Sequence, residues 1–376
     1  MTKIISGIGS LEKLIDFKDQ FFDKRILLVT GKGSFSNSGA ELILKNILRN
    51  ECVFRFSDFE VNPKFEDAER GVAFAREANI DVIMAVGGGS VIDMAKLIKA
   101  FYLNPENAQA LVKSKACLLD PKVPLIVVPT TAGSGSEATH FAVVHIGKEK
   151  YSLASSLLLP NTVFLDGKLI STCSAYQKAC NGLDALAQAI ESAWAVGSTE
   201  VSIKYAFKAL KLCKKYLPKV LKDDAEYEAL HGMLEAANFA GQAINISKTT
   251  AAHAWSYGIT NEYGIPHGHA VWLTLPAIFQ IHTEQILYRF NDKKGPKNLH
   301  RIMTDLMELL DITSPERSGD ILRNYLNGIG VASSLDMVGA NSIEKRKYLS
   351  QLINLERMAN NPINFNETDV AKIFSL

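Results

Sequence analysis

An α/β domain followed by an all-helical domain is the fold this sequence predicts, and three observations predict it. In the first half, short apolar runs that stop at glycine or proline alternate with stretches of helical apolar period. After about Asp166 strand-like runs all but vanish while helical periodicity continues. The length, 376 residues, exceeds what one compact core usually serves. The boundary falls at the change of texture, giving residues 1–166 to the α/β domain with a parallel sheet and 167–376 to the helical one.

Arg25 to Thr30 (RILLVT) is a continuous apolar run ending at Gly31, as a buried parallel strand should read. Ser38 to Arg49 has helical spacing, and Val53 to Phe56 is a second strand. Pro63 to Asn79 opens with proline and early acids and carries one apolar stripe, so it is a helix. Val82 to Val86 is a third strand, Ser90 to Tyr102 a helix, and Pro124 to Val128 a fourth strand. Beyond the boundary, Ser174–Val196, Glu200–Tyr216, Asp224–Asn245, His269–His282, Leu299–Leu310 and Pro315–Leu326 read as helices. A turn and a capped helix close the chain at NNPINFNETDVAKIF.

The 41 basic and 40 acidic residues leave a formal charge of +1. So even a balance argues against general nucleic-acid binding, which needs a basic surface. No apolar run has the length of a membrane helix, and the start lacks the features of a signal peptide. Five scattered cysteines contain no CxxC pair, so neither a disulfide framework nor a thiolate zinc site is expected. A reducing cytoplasm is the expected compartment.

Gly87, Gly88 and Gly89 follow the third strand directly, and Ser90 opens a helix. Three glycines let backbone N–H groups approach a ligand, and a helix start adds donors and partial positive charge. The pyrophosphate of a dinucleotide suits such a loop. Ser90 and Asp93 also fit a capping box, which alone would explain a tight strand–helix turn. The spacing is not GxGxxG. A second small-residue loop, PTTAGSGSEAT, follows the fourth strand and offers the hydroxyls of Thr130, Thr131 and Ser134. Ligands of open α/β sheets bind at the carboxyl ends of strands, so the two loops should converge on one crevice. Gly31 ends the first strand where an acidic residue would bond the adenosine ribose and repel a 2′-phosphate. With glycine there and Lys32 adjacent, NADP(H) is expected to be accepted.

Asp184 and Gln188 stand four residues apart in NGLDALAQAIES, on one face if the segment is helical. His253 and His267 lie downstream in TTAAHAWSYGITNEYGIPHGHA. Aspartate with two histidines suits Fe(II) or Zn(II), and a glutamine oxygen can fill a fourth position. A helical aspartate also serves as an ion-pair or cap partner, and a lone histidine also packs in a core. Spacing does not separate these readings.

With GGGSVIDMAK, PTTAGSGSE, PNTVFLD, GLDALAQAIE and HGHA in this order, the sequence resembles the iron-containing (group III) alcohol dehydrogenase family over nearly its whole length. The resemblance implies a dehydroquinate synthase-like fold: an N-terminal dinucleotide-binding domain, a helical C-terminal domain, and an active site in the cleft between. It implies metal ligands at Asp184, Gln188, His253 and His267, where the family usually has histidine in place of Gln188. It implies cofactor contacts at Gly87, Gly88, Gly89 and Ser90 for the pyrophosphate, and at Thr130, Thr131 and Ser134 around the nicotinamide half. Lys150 matches a family lysine near the ribose, and Gly31 replaces a frequent aspartate. Tyr257 stands where the family commonly has a proton-transferring histidine, so Tyr257 and the unusual His269 are the catalytic candidates.

The function implied is a metal-dependent, NAD- or NADP-linked alcohol dehydrogenase or aldehyde reductase, with Fe or Zn, or else Mn or Ni. Among its members the sequence is most similar to phosphonoacetaldehyde reductase-like enzymes, which yield 2-hydroxyethylphosphonate. Lys248, His269 and Arg357 are the candidates to hold such an anion. Partners expected are a small aldehyde or alcohol and further copies of the chain, as a homodimer or larger, with no nucleic acid or membrane. Two alternatives stand beside this one. One is a polyol or glycerol-phosphate dehydrogenase of the same fold; the other, motivated by Gln188 and Tyr257, is a non-catalytic nucleotide-binding descendant.

Overall fold

Six parallel strands form one sheet: β1 (Lys3–Ser6), β2 (Arg25–Thr30), β3 (Cys52–Phe56), β4 (Val82–Gly87), β5 (Leu125–Pro129) and β8 (Thr162–Leu165), in the order β1-β8-β5-β4-β2-β3. A separate antiparallel hairpin pairs β6 (Phe141–Ile146) with β7 (Glu149–Ala154). The structure is a computed structural model and describes residues 2–103, 107–114, 118–147, 149–222 and 225–376.

Central β4 is buried at every position, which is why it reads as an unbroken apolar run rather than an alternation. Ile26 and Leu28 of β2, Met84 and Val86 of β4, Ile126 and Val128 of β5 and Phe164 of β8 share one core with Leu11, Leu14, Phe35 and Leu44. The crossovers carry α1 (Ser34–Asn37), α2 (Ala40–Ile47), α3 (Phe65–Glu77), α4 (Gly89–Phe101) and α5 (Ala108–Ser114). Register brings the strand ends level: Thr30 lies opposite Val86, and Gly87 opposite Pro129. The chain therefore leaves β2, β4 and β5 at one end of the sheet, where Gly31, Gly88 and Thr130 follow.

Four strands, β1, β6, β7 and β8, were not read as strands from periodicity. Edge strand β1 has a mostly exposed pattern and only four residues, and the β6–β7 hairpin is half-buried without clean alternation. Strand β8 lies within the PNTVFLD motif.

By packing, the chain divides into two compact units, Met1–Cys173 with Ala225–Gly241, and Ser174–Asp224 with Gln242–Leu376. The second holds α6 (Ala175–Trp194) and α7 (Glu200–Val220). Helix α8 (Tyr227–Ser247) starts in the first unit and ends in the second. The second unit continues with α9 (Ala251–Tyr263), α10 (His267–Trp272), α11 (Leu275–Gln285), α12 (Pro296–Leu309), α13 (Ser318–Gly328), α14 (Ile343–Gln351), α15 (Leu355–Ala359) and α16 (Glu367–Phe374). Capping boxes begin α6 at Ser174 and α16 at Asn366. The stretch expected as one helix from His269 to His282 is two, α10 and α11. Pro276 sits in the first turn of α11, where its missing N–H costs nothing, and it could not continue a helix from α10. Among the described residues no helix is long and apolar enough to cross a membrane.

Candidate metal centre and cofactor loops

In the first unit the glycine loop and the PTTAGSGSEAT loop touch. A Cβ on Gly88 would lie 3.1 Å from Thr131 Oγ1, and one on Gly89 would lie 2.7 Å from Ser134 Oγ. Gly87 is tighter still, with Val91 Cγ2 2.4 Å from the place of its Cβ. Side chains at Gly88 and Gly89 would press on Thr131 and Ser134 of the second loop, and one at Gly87 on Val91 of the helix that follows, so glycine lets the first loop pack this closely on both. The amide of Thr130 donates to Gly87 O at 3.0 Å. Its hydroxyl is buried with no hydrogen-bond partner among the described residues, a group that costs about 1–3 kcal/mol until something pairs with it.

The expected capping box at Ser90 does not form. Gly88 is the N-cap, so Ser90 already lies in the first turn, and its hydroxyl accepts from the amide of Asn62 at 3.1 Å. Asp93 turns inward instead, accepting from Ser136 Oγ at 2.5 Å and from the amide of Val143 at 3.0 Å. Beside it Lys96, fully buried, donates to the carbonyls of Ser136 (2.6 Å), Thr139 (2.7 Å) and Phe141 (3.0 Å). Burial pushes its ammonium down to about 8 against the pull of Asp93 and Glu137. Glu137 in turn accepts from Asn238 Nδ2 of α8 at 3.0 Å. Gly135, at φ 61°, packs so closely on α8 that a Cβ would meet Gly241 Cα at 2.6 Å. The second loop is thus held from below by α4 and from the side by α8. Sequence reading missed this network, although Asp93 and Lys96, three apart on an apolar helix, were its signal. Lys150, half-buried on β7 opposite His145, acts electrostatically on Asp93.

In the second unit Asp184, His253 and His267 bring one ligand atom each within 4.8 Å of one another. Asp184 comes from the middle of α6, His253 from the first turn of α9, and His267 from the start of α10. Gly268 lets α10 land on α6, because a Cβ there would fall 2.0 Å from Cys180 O and 2.8 Å from the amide nitrogen of Asp184. Burial pushes the Asp184 carboxyl up. The hydrogen bond from His253, the charges of His267 and His253 and a hydrogen bond from Gln188 outweigh it, so the net displacement is downward and the group is a carboxylate. Gln188, itself buried, therefore stands beside Asp184 as the helix spacing required.

Glu191, one turn beyond Gln188, was not expected. Fully buried, it pairs one oxygen with His253 Nδ1. The other accepts from Thr250 Oγ1 at 2.7 Å and from the amide of Ala252 at 2.9 Å. Nδ1 being held, Nε2 of His253 faces Asp184 Oδ1 at 3.4 Å. Carboxylates that fix an imidazole in this manner are the usual outer support of metal-binding histidines. Ser256 Oγ lies 3.3 Å from His267 Nδ1. Burial lowers the His253 pKa, but the charge of Glu191 and hydrogen bonds to Asp184 and Glu191 prevail and carry it to about 10. Asp184, Gln188 and Glu191 fall on one stripe at i, i+4 and i+7, a spacing visible in the sequence.

The Fe-ADH pattern, iron-containing alcohol dehydrogenase, matches residues 1–167, and that of the Fe-containing alcohol dehydrogenase family, C-terminal, matches residues 178–376. The chain belongs to the iron-containing alcohol dehydrogenase family. Among relatives, it is 33% identical over 231 residues to a probable alcohol dehydrogenase, EutG, of Escherichia coli, a stretch covering 61% of this chain and 58% of that one. It is 29% identical over 308 residues to a phosphonoacetaldehyde reductase of Streptomyces viridochromogenes, covering 79% of this chain and 76% of the relative. A crystal structure of sulfoacetaldehyde reductase from Bifidobacterium kashiwanohense in complex with NAD+ superposes with a TM-score of 0.86 at 26% identity, over 100% of this chain and 96% of that one.

Iron-containing alcohol dehydrogenases use NAD(P) and a divalent metal. The residues present fit both. An ionised aspartate and two imidazoles, one oriented by a buried carboxylate, are a donor set for Fe(II) or Zn(II). The glycine loops and the unpartnered Thr130 hydroxyl fit a phosphate-bearing cofactor.

The two catalytic candidates differ in surroundings. The Tyr257 ring stacks on the His267 ring, with centroids 5.4 Å apart and planes 6° from parallel. His269 has both nitrogens engaged, Nδ1 accepting from Tyr176 OH at 2.9 Å and Nε2 donating to Ala332 O at 2.8 Å. Burial lowers its pKa despite the Ala332 contact. Of the anion-binding candidates, Lys248 is paired with Glu356 at 2.7 Å, and Arg357 is half-buried on α15, which packs against α9.

Proposed function

We propose that this member of the family is a metal-dependent, NAD(P)H-linked reductase of a small aldehyde whose far end carries a phosphonate or similar oxyanion. The observation that carries the chemistry is the group of Asp184, His253 and His267 with Glu191 behind it. The likeness to a phosphonoacetaldehyde reductase and to a sulfoacetaldehyde reductase supports the substrate class.

Asp184, His253 and His267 would hold the metal, with Gln188 as a fourth, oxygen donor. When bound, the metal supplies Lewis-acid polarisation of a carbonyl oxygen. The nicotinamide supplies the hydride. The protein's share is positioning. Glu191 keeps the His253 ring in one orientation, so no reorganisation is spent on it during turnover. Lys96 and Asp93 hold the second loop against the first, where Gly87, Gly88, Gly89 and Ser90 take the pyrophosphate. Thr130, Thr131 and Ser134 serve the nicotinamide half, and Lys150 the ribose. Tyr257, stacked on His267, donates the proton that converts the developing alkoxide to alcohol. Arg357 and Lys248 bind the oxyanion. We assign the enzyme to the cytoplasm, as a homodimer or larger assembly.

The test is a substrate comparison on the metal-loaded protein. NADPH consumption with phosphonoacetaldehyde should exceed that with acetaldehyde and with an uncharged long-chain aldehyde in kcat/KM. Equal efficiency on charged and uncharged aldehydes removes the oxyanion from the reading. No turnover with any aldehyde, alcohol or polyol under Fe, Zn, Mn or Ni removes the reading altogether.

A further inference from the structure

Helix α7 carries six lysines against a single acid, Glu200 in its first turn. Five of them, Lys204, Lys208, Lys211, Lys215 and Lys219, recur at i, i+4, i+7, i+11 and i+15. At about 100° and ~1.5 Å per residue they fall within about 80° of arc and run for about 22 Å along the axis. All five are exposed. Ala206, Ala209, Leu210, Cys213, Leu217 and Val220 line the opposite side and are buried. That side packs on α6, where a Cβ on Gly182 would meet Leu217 Cδ1 at 2.3 Å. The lysine face is therefore turned away from the helix that bears Asp184. The sixth lysine, Lys214, lies to one side of the row and pairs with Asp311 at 2.7 Å. From Lys204 to Val220 no acid interrupts the row. Lysines three or four positions apart repel one another, so the row lowers the stability of the helix, and a face that only had to meet water would be served as well by mixed charges. The chain as a whole carries a formal charge of +1, so this concentration of positive charge is local.

We propose that this face of α7 docks an acidic helix of another protein. Carboxylates at i, i+4 and i+7 step along a helix by about 6 and then about 4.5 Å, the same intervals that separate these lysines, so a helix laid alongside brings one carboxylate to each ammonium group. Duplex nucleic acid presents a charge about every 1.7 Å of its axis, several times denser than the lysine row. The face is a convex rod without a groove for a single strand, and its five positions hold no aromatic ring for bases to stack on. A helix that lies on a membrane inserts its apolar side, and here that side is occupied by the core. Lysine in place of arginine throughout gives point charges on flexible stems, suited to a salt-sensitive and readily reversed contact.

The experiment is fluorescence anisotropy of the full chain with a labelled, alanine-based helical peptide bearing glutamate at i, i+4, i+7, i+11 and i+15. A second peptide has the same composition with its glutamates spread around the helix. A short DNA duplex and equimolar phosphatidylglycerol–phosphatidylcholine vesicles, the latter read by co-sedimentation, complete the set. Wild type should bind the row peptide about 10-fold or more tighter than the spread peptide, with an affinity that falls steeply as salt is added. Lys204→Glu with Lys211→Glu should weaken the row peptide about 10-fold or more at an unchanged melting temperature, and Lys204→Gln with Lys211→Gln should give a smaller loss. Lys13→Glu with Lys18→Glu, an equal change of charge at exposed positions of the first unit, should stay within about 2-fold of wild type. Equal binding of the two peptides, or an equal loss in both Glu double variants, overturns the proposal, because only net charge would then be felt. Tighter binding of the duplex than of the row peptide would give the face to nucleic acid, and tighter binding of the vesicles would give it to a membrane; either overturns the proposal. So does failure to bind any of the four probes.

Discussion

Glu191 grips His253 by its Nδ1, and with its second oxygen it takes the amide of Ala252 and the hydroxyl of Thr250 at the head of helix α9. One buried carboxylate on α6 therefore sets both where α9 begins and which nitrogen of His253 faces Asp184. Removing its charge while keeping its shape separates these two tasks. Glu191→Gln should retain the fold by circular dichroism and lower metal affinity about 10–100-fold. Titration of the metal-free protein with Zn(II) or Fe(II) measures it, and unchanged affinity would assign Glu191 to helix capping alone.

Asp184→Ala and His267→Ala each remove a donor from the group that converges within 4.8 Å. Both variants should lose turnover below detection and lose bound metal. Cofactor affinity should be retained, since the two glycine loops belong to the other unit. Turnover retained in both would exclude a metal held at this position.

Tyr257 and His269 can be ranked as proton donors. The ring stacking on His267 puts Tyr257 next to one of the three proposed metal ligands, whereas His269 has both nitrogens in use. Tyr257→Phe should lower kcat by about 100-fold, the lower end of general-acid contributions. His269→Gln should leave kcat within a few fold and act on stability instead. Steady-state kinetics of the pair decides, and the reverse order would hand the role to His269.

Lys96 donates to three backbone carbonyls around the second glycine loop from a fully buried position. Lys96→Ala strands these acceptors and leaves Asp93 and Glu137 without their buried cation. It should cost about 3 kcal/mol or more and weaken cofactor binding together with the melting temperature. Thermal melts with and without cofactor provide the readout. A normal melt with weak cofactor binding would instead make Lys96 a direct contact.

Acid stability should carry a histidine signature. His282 is fully buried against Trp194, with ring centroids 4.5 Å apart, and Asn361 Nδ2 donates to its Nε2 at 3.2 Å. Burial holds its pKa down at about 3, against the opposing charge of Asp369, while the unfolded chain titrates near 6.5. The unfolded state therefore binds the proton first. The stability contributed by the neutral ring is complete above pH 6.5 and is lost progressively as pH falls toward 3. Denaturant unfolding across this range should be less pH-dependent in His282→Gln than in wild type. Parallel pH curves would show that His282 takes no part.

The order of strands and helices in the first half was legible because a buried parallel strand leaves an unbroken apolar run, and β2, β4 and β5 all do. The two glycine loops and the pair Asp184 and Gln188 were legible because a turn and a helix face are local objects, set by residues a few positions apart. What lay beyond the sequence was pairing across long separations. Edge strand β1 has exposed side chains and joins the sheet only through β8, over 150 positions away in register. Ser90 and Asp93 have the spacing of a capping box, yet the helix starts one residue before Ser90 and the carboxylate found Ser136 and Val143 instead. Glu191 stood in plain view on the Asp184 stripe, but only the arrival of α9 gave it a histidine to hold. Local sequence chose which side chains share a face; the fold chose their partners, because a buried charge is satisfied only by groups that packing delivers.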